Sequence, residues 1–172
     1  MPTIRACLTA AMLIAASQSA HAEWRFDNGV AIGTPRSTNS TLEAVVVACG
    51  DPFQLELYSR DDGPVLPESG GTADYFYTPG KIVASVDDHD YPLVAAGSDI
   101  AVVLFSEGTV AENHLAPVDR QLVEAMRDGA RLALHFDITP ANAADGSPYE
   151  TFAIIPLEGA GAVLDAALVD CL

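Results

Sequence analysis

Two cysteines constrain this chain more than any other feature. Cys49 closes an apolar run in the first third of the sequence, and Cys171 is the penultimate residue, 122 positions later. A third, Cys7, lies in the leading segment MPTIRACLTAAMLIAASQSAHA. There Arg5 supplies a positive start, Ala6 to Ala16 an apolar run too short to span a bilayer, and Ala20-His21-Ala22 a small-residue cleavage pattern. This is the layout of a secretory signal, residues 1–22, cut so that Glu23 begins the mature chain. Cys7 lies at the start of the apolar run instead of at the cleavage point, so no lipid anchor is expected. Export puts the two remaining thiols where disulfides persist, and two cysteines allow one intramolecular pairing. Chain-entropy arithmetic gives roughly 4–5 kcal/mol for closing a loop this long. Neither cysteine sits in a Cys-x-x-Cys pair or beside a histidine, as redox or metal chemistry would require.

The segment 23–172 holds about 150 residues, enough for one mature domain with its own core. No later stretch approaches the length of a membrane-spanning helix, so an integral membrane protein is not expected. The chain carries 24 acidic against 8 basic side chains, a formal net charge of −16. Such a balance opposes nucleic acid and anionic membrane surfaces, and favours basic partners or cations.

Along the mature chain, turn chemistry and period-two patterns dominate. Trp24 and Phe26 alternate with Arg25, and Asn28-Gly29 is a hairpin-turn dipeptide before Val30 and Ile32. TPRSTNST, residues 34–41, reads as a loop; its Asn39-Ser40-Thr41 is a glycosylation sequon, relevant only in a eukaryotic source. Leu42 to Ala48 is almost continuously apolar, the mark of a central strand, and Phe53, Leu55 and Leu57 alternate with Gln54 and Glu56 in its hairpin partner. Residues 60–80 are too rich in proline and glycine for a helix, and Tyr75, Phe76 and Tyr77 would pin that connection to the body. Strands are expected at 81–86, 91–96 and 98–105, with Pro92 confining the second to an edge. Val118, Leu122 and Met126 recur at spacing four after Pro117, which predicts a helix over 117–128. In RLALHFDI, residues 131–138, Leu132, Leu134, Phe136 and Ile138 face one way and Arg131, Ala133, His135 and Asp137 the other. TPANAADGSP reads as a loop and ETFAII as a last strand. A terminal helix near 161–171 would carry Val163, Leu164, Ala167, Leu168 and Cys171 on one face, pointing the last cysteine toward the sheet that holds Cys49. The fold class is therefore α+β: a mostly antiparallel, sandwich-like β domain with two short helices late in the chain.

Chemistry is sparse. The acidic turn Asp87-Asp88-His89-Asp90 gathers four ligand types, but lacks the alternating spacing of a calcium loop, so no metal is assigned and these four remain its only candidates. His135 and Asp137 share a strand face about 7 Å apart, loose for an acid–base pair. Glycine motifs for a serine elbow, a dinucleotide or a phosphate loop are missing, so neither catalytic residues nor a cofactor are expected.

The ordered elements EWRF, LEAVVVACGDPFQLELYS, KIVASVDD, LVEAMRDGARLALHF and FAIIPLEGAGAVLDAALVDC are similar to small exported bacterial proteins of the type VI secretion-associated periplasmic family. Invasion-associated locus B-like proteins have a comparable small β domain. That resemblance implies a Gram-negative periplasmic accessory or binding module for a protein or cell-envelope component, bridged between Cys49 and Cys171, and non-enzymatic. Two alternatives stay open: an acidic inhibitor of a basic hydrolase such as lysozyme, and a hydrolase with a dispersed site near His135 and Asp137. Mass spectrometry of the exported protein should find Glu23 at its amino terminus and no free thiol; a retained Cys7 would overturn the reading of the leader.

Overall fold

The structure, a computed structural model, describes residues 23–60, 77–98, 100–109, 111–142 and 144–171. The leader and the aromatic pair Tyr75 and Phe76 lie outside the described residues, whereas Tyr77 packs against the core. Strands β1 (Trp24–Asp27) and β2 (Val30–Gly33) form the first hairpin, closed by Asn28 and Gly29, both at positive φ. β3 (Ser37–Thr38) is followed by the hairpin β4 (Leu42–Cys49) and β5 (Phe53–Ser59). Then come β6 (Ile82–Val86), β7 (His89–Ser98), β8 (Ala101–Phe105) and a small separate hairpin of β9 (Glu107–Thr109) and β10 (His114–Ala116). Helix α1 (Arg120–Asp128), strands β11 (Arg131–Asn142) and β12 (Pro148–Pro156) and helix α2 (Ala160–Ala167) complete the order. The α+β, mostly antiparallel architecture expected from the sequence is the one observed.

Apart from the β9–β10 hairpin, the strands join in one ten-stranded sheet, ordered β1-β2-β4-β5-β8-β7-β6-β11-β12-β3. The sheet curls because its two ends are tied by the short crossing from β2 to β3. Arg36 N–H donates to Ile154 O at 2.8 Å, and β3 pairs with Ala153 and Ile154 of β12. The Trp24 indole donates to Pro156 O at 2.7 Å across the same seam. That indole lies flat over Gly33, where an added Cβ would stand 2.7 Å from Trp24 Cζ2. Only glycine admits so close an approach. Inside the curl lie Leu55, Leu57, Leu104, Leu132, Leu134, Phe136 and Ile155, all with almost no exposed surface.

Both helices close this interior. Asp119 caps α1 by accepting from Gln121 N–H at 2.8 Å, and Leu122, Val123 and Met126 are buried beneath it. The helix therefore starts at the cap, later than the proline signal at 117 suggests. α2 lies against α1 and against β1, β2 and β4. It ends at Ala167, not 171: a final turn, with Cys171 N–H donating to Leu168 O at 3.0 Å, carries Cys171 to Cys49. The bridge is present, with its Cα atoms 5.7 Å apart.

Several expectations need correction. β7 has the edge character expected at Pro92 only in its first half and changes partner midway: residues 89–93 pair with β6 and 94–98 with β8. Pro92 is tolerated because its half of β7 has β6 as its strand neighbour on one side only. The strand expected at 98–105 starts at Ala101, and Ser98 belongs to β7, where it pairs with Ala101. Of the loop expected at 139–148, residues 139–142 and Pro148 are strand, because β11 and β12 extend past an irregularity between Asp137 and Asn142, and 144–147 make the turn. Ala133 is buried at 3 % exposure, although it shares a face with exposed neighbours.

Removing the bridge by Cys49→Ala with Cys171→Ala should lower unfolding free energy by about 2–5 kcal/mol. Urea melts of the variant, or of the reduced wild type, read this directly; an unchanged midpoint would show that packing alone holds the tail.

Candidate functional site

The outward face of β2, β4 and β5 departs from ordinary sheet patterning. On β4, Leu42, Val45 and Val47 point into the core, and Ala44, Val46 and Ala48 point out, half-buried. A register shift between Leu42 and Ala44 leaves Glu43 facing outward beside them. β2 adds Val30 and Ile32, while Ala31 fills the core. The register aligns Arg25, Ile32, Val46, Glu56 and Val103 in one row across five strands. A sheet face washed by water normally alternates to polar residues; this one is floored by aliphatic side chains. The result is a shallow groove of about 540 Å³ with Val30, Ile32, Ala44, Val46 and Ala48 along its floor. A second hollow of about 480 Å³ adjoins it, sharing Arg25, Glu43 and Ala44.

Polar groups stand at two sides. Along β5, Glu56 accepts from Tyr58 Oη at 2.7 Å and from the Gln54 amide, so its carboxylate is fixed over the apolar floor. The hydrogen bond to Glu56 holds the Tyr58 proton and raises the phenol above its ordinary value of 10.0; partial burial and the Glu56 charge act in the same direction. On the opposite side stands Arg25, which makes no hydrogen bond or ion pair among the described residues. Glu43 is engaged by Arg60 at 3.3 Å. The groove can thus bury apolar side chains and offer a pre-oriented acceptor to a donor or cation.

The residues singled out by sequence lie elsewhere and are not brought together. Asp87 and Asp88 form the β6–β7 turn, both at positive φ. Asp87 accepts from Ala130 and Arg131 N–H at 2.8 and 3.0 Å, and Asp88 faces Arg131 at 3.4 Å. Asp90 accepts from Ser85, and His89 packs edge-on against Tyr91. Side chains engaged by the backbone and guanidinium of Arg131, by Ser85 and by Tyr91 do not converge as a ligand set, and no group of three or more possible ligands occurs among the described residues. His135 and Asp137 also diverge: His135 Nδ1 is 3.7 Å from Glu150, and Asp137 pairs with Lys81 at 2.8 Å. No helix among the described residues is long and apolar enough to cross a membrane.

The groove residues were overlooked because a continuous apolar run such as Leu42 to Ala48 is read as a strand covered on both faces. The same run is what a strand shows when its second face awaits a partner. No protein-family model, curated protein or solved structure matches the chain.

Because the Tyr58 phenol is raised by Glu56, the stability this contact contributes is complete below pH 10 and fades as pH climbs through the folded-state value. Tyrosinate absorbance should show one component of the titration move down toward 10 in Glu56→Gln; an unmoved profile would mean that the contact does not form in solution.

Proposed function

We propose that this protein is an exported, non-enzymatic binding module that takes a protein or cell-envelope component on the outer face of β2, β4 and β5. The observation that carries the reading is the outward half of β4: Ala44, Val46 and Ala48 lie beside Val30 and Ile32 with no covering layer among the described residues. An aliphatic floor open to water is disfavoured by about 25 cal/mol for each Å² left wet, and a docked partner removes that disadvantage. The disulfide and the lack of a long apolar helix among the described residues are compatible with export. The likeness to type VI secretion-associated and locus B-like periplasmic proteins leads to the same class of role, an accessory that holds rather than converts.

Glu56 favours a partner with a basic or hydroxyl-bearing side chain at the contact, since its carboxylate is already oriented over the floor. A basic hydrolase held in check by this acidic protein is one form such a partner could take, with the −16 charge speeding encounter.

The test pairs Val46→Glu and Ile32→Glu with wild-type protein immobilised against envelope extract from the native host. Each substitution should cut retention of the bound component by about tenfold or more, at low and high salt alike, because it places a charge on the apolar floor. Equal retention by wild type and both folded variants would move the binding face elsewhere. Glu56→Gln separates the two forms of the reading: a basic partner should bind more weakly with a smaller salt dependence, and a neutral one should bind unchanged.

A further inference from the structure

The free edge of the sheet at β1 carries a pattern complementary to itself. Among the described residues β1 has β2 as its only strand neighbour, and nothing within Trp24-Arg25-Phe26-Asp27 itself blunts the exposed side: there is no proline, bulge or inward charge. The opposite edge is blunted, since β3 contributes two residues. Asn28 and Gly29, at φ 47° and 87°, form a two-residue turn, so Asp27 and Val30 are its hydrogen-bonded closing pair. Alternation then makes Arg25 and Ile32 hydrogen-bonded too, and turns the N–H and C=O of Phe26 toward the open edge.

Beyond Trp24, whose indole is held by Pro156 O, the side chains along this edge have no hydrogen-bond or ion-pair partner among the described residues. Phe26 leaves 51 % of its surface in water at the margin of the core face. Arg25 and Asp27 project to the outer face, and neither has an ion pair among the described residues. The other described cations differ: Arg36, Arg60, Lys81, Arg127 and Arg131 each face a carboxylate, and Arg120 lies 5.1 Å over the Phe53 ring. In a chain with threefold more acidic than basic side chains, an arginine without a carboxylate partner stands out.

We infer that β1 pairs antiparallel with β1 of a second copy, about a two-fold axis passing between their Phe26 residues. The two Phe26 backbones exchange both hydrogen bonds, and their rings meet on one face. On the other face Arg25 of each copy opposes Asp27 of the second copy, in the closer, non-hydrogen-bonded positions where cross-strand charges interact best. One-residue spacing on either side of Phe26 satisfies both ion pairs at once, as an isologous contact requires. An unrelated strand could use the backbone groups, but the placement of opposite charges at equal distances from Phe26 fits a copy of the same strand. The two sheets become continuous, and their apolar grooves, which begin beside Arg25, come to lie on one face.

A short edge gives a weak dimer, so sedimentation equilibrium of the mature, oxidised protein should be run up to about 1 mM. Wild type should show a mass that rises with concentration. Arg25→Asp and Asp27→Arg should each raise the dissociation constant about tenfold or more, by opposing like charges. An equimolar mixture of these two variants, and the doubly reversed R25D/D27R chain, should recover association. Circular dichroism confirms folding, and Arg25→Glu with Asp27→Lys repeats the test should either variant unfold. A strictly monomeric wild type, single variants that associate normally, or a mixture that stays monomeric would each overturn the proposal.

Discussion

The Cys49–Cys171 bond fastens the end of β4 to the turn that follows α2, and so keeps that helix seated on the inner side of β1, β2 and β4. The same strands carry the groove on their outer side. A binding face on a sheet is only as well defined as the layer behind it, because side chains on both faces share one backbone. Here that layer is Leu164, Ala160 and Leu168 against the inward residues of β2 and β4, all essentially buried. Close packing continues into α1, where Gly161 lies so near the Arg127 carbonyl that an added Cβ would be 2.8 Å from it. The covalent bridge thus acts at a distance: it orders the tail, the tail orders the strands, and the strands hold Val46 and Glu56 in register.

How much of this was legible beforehand depends on whether the signal was local. Asn28-Gly29, the alternation in FQLELY and the four-residue spacing of Leu122 and Met126 each specify their own conformation, and these elements stand where the sequence puts them. The bridge was also readable, since compartment and cysteine number leave one pairing. Properties set by distant partners were not readable. Pro92 suits an edge on local grounds and has a strand neighbour on one side only, but nothing local shows that β7 changes its partner from β6 to β8 midway. Ser37 and Thr38 carry no strand signal; β12 recruits them as the chain crosses the seam. Cys171 reaches its partner through a turn, although the helical spacing alone appeared sufficient.

The site illustrates the same limit. Burial on both faces and burial on one face with a docking surface on the other produce the same apolar run at 42–48. Only the topology decides, by placing β4 between β2 and β5 with helix on one side and no described layer on the other. The acidic turn at 87–90, read as a turn with no metal assigned, shows the converse. Its carboxylates look like ligands in one dimension, but in the fold Asp87 satisfies the backbone amides that open β11, a structural task any tight corner must solve.

Charge completes the division of labour between surface and groove. Most described cations are matched by neighbouring carboxylates at 2.6–3.4 Å, so the acidic surplus is carried by side chains left over after that pairing. Exposed pairs of this kind contribute little to stability, each about 0–1 kcal/mol. The surplus instead sets a negative field around the whole molecule, which governs encounter and solubility rather than fold. Inside the groove the balance is different, with Arg25 on one side, Glu56 on the other and aliphatic side chains between them. On the proposed binding role, approach would be selected by the field and retention by the apolar floor. The two selections need not favour the same molecules: a cationic protein without an apolar knob would arrive and leave, and an apolar but acidic one would seldom arrive. The proposed partner is therefore one that would be basic overall and apolar at its tip, with a donor within reach of Glu56.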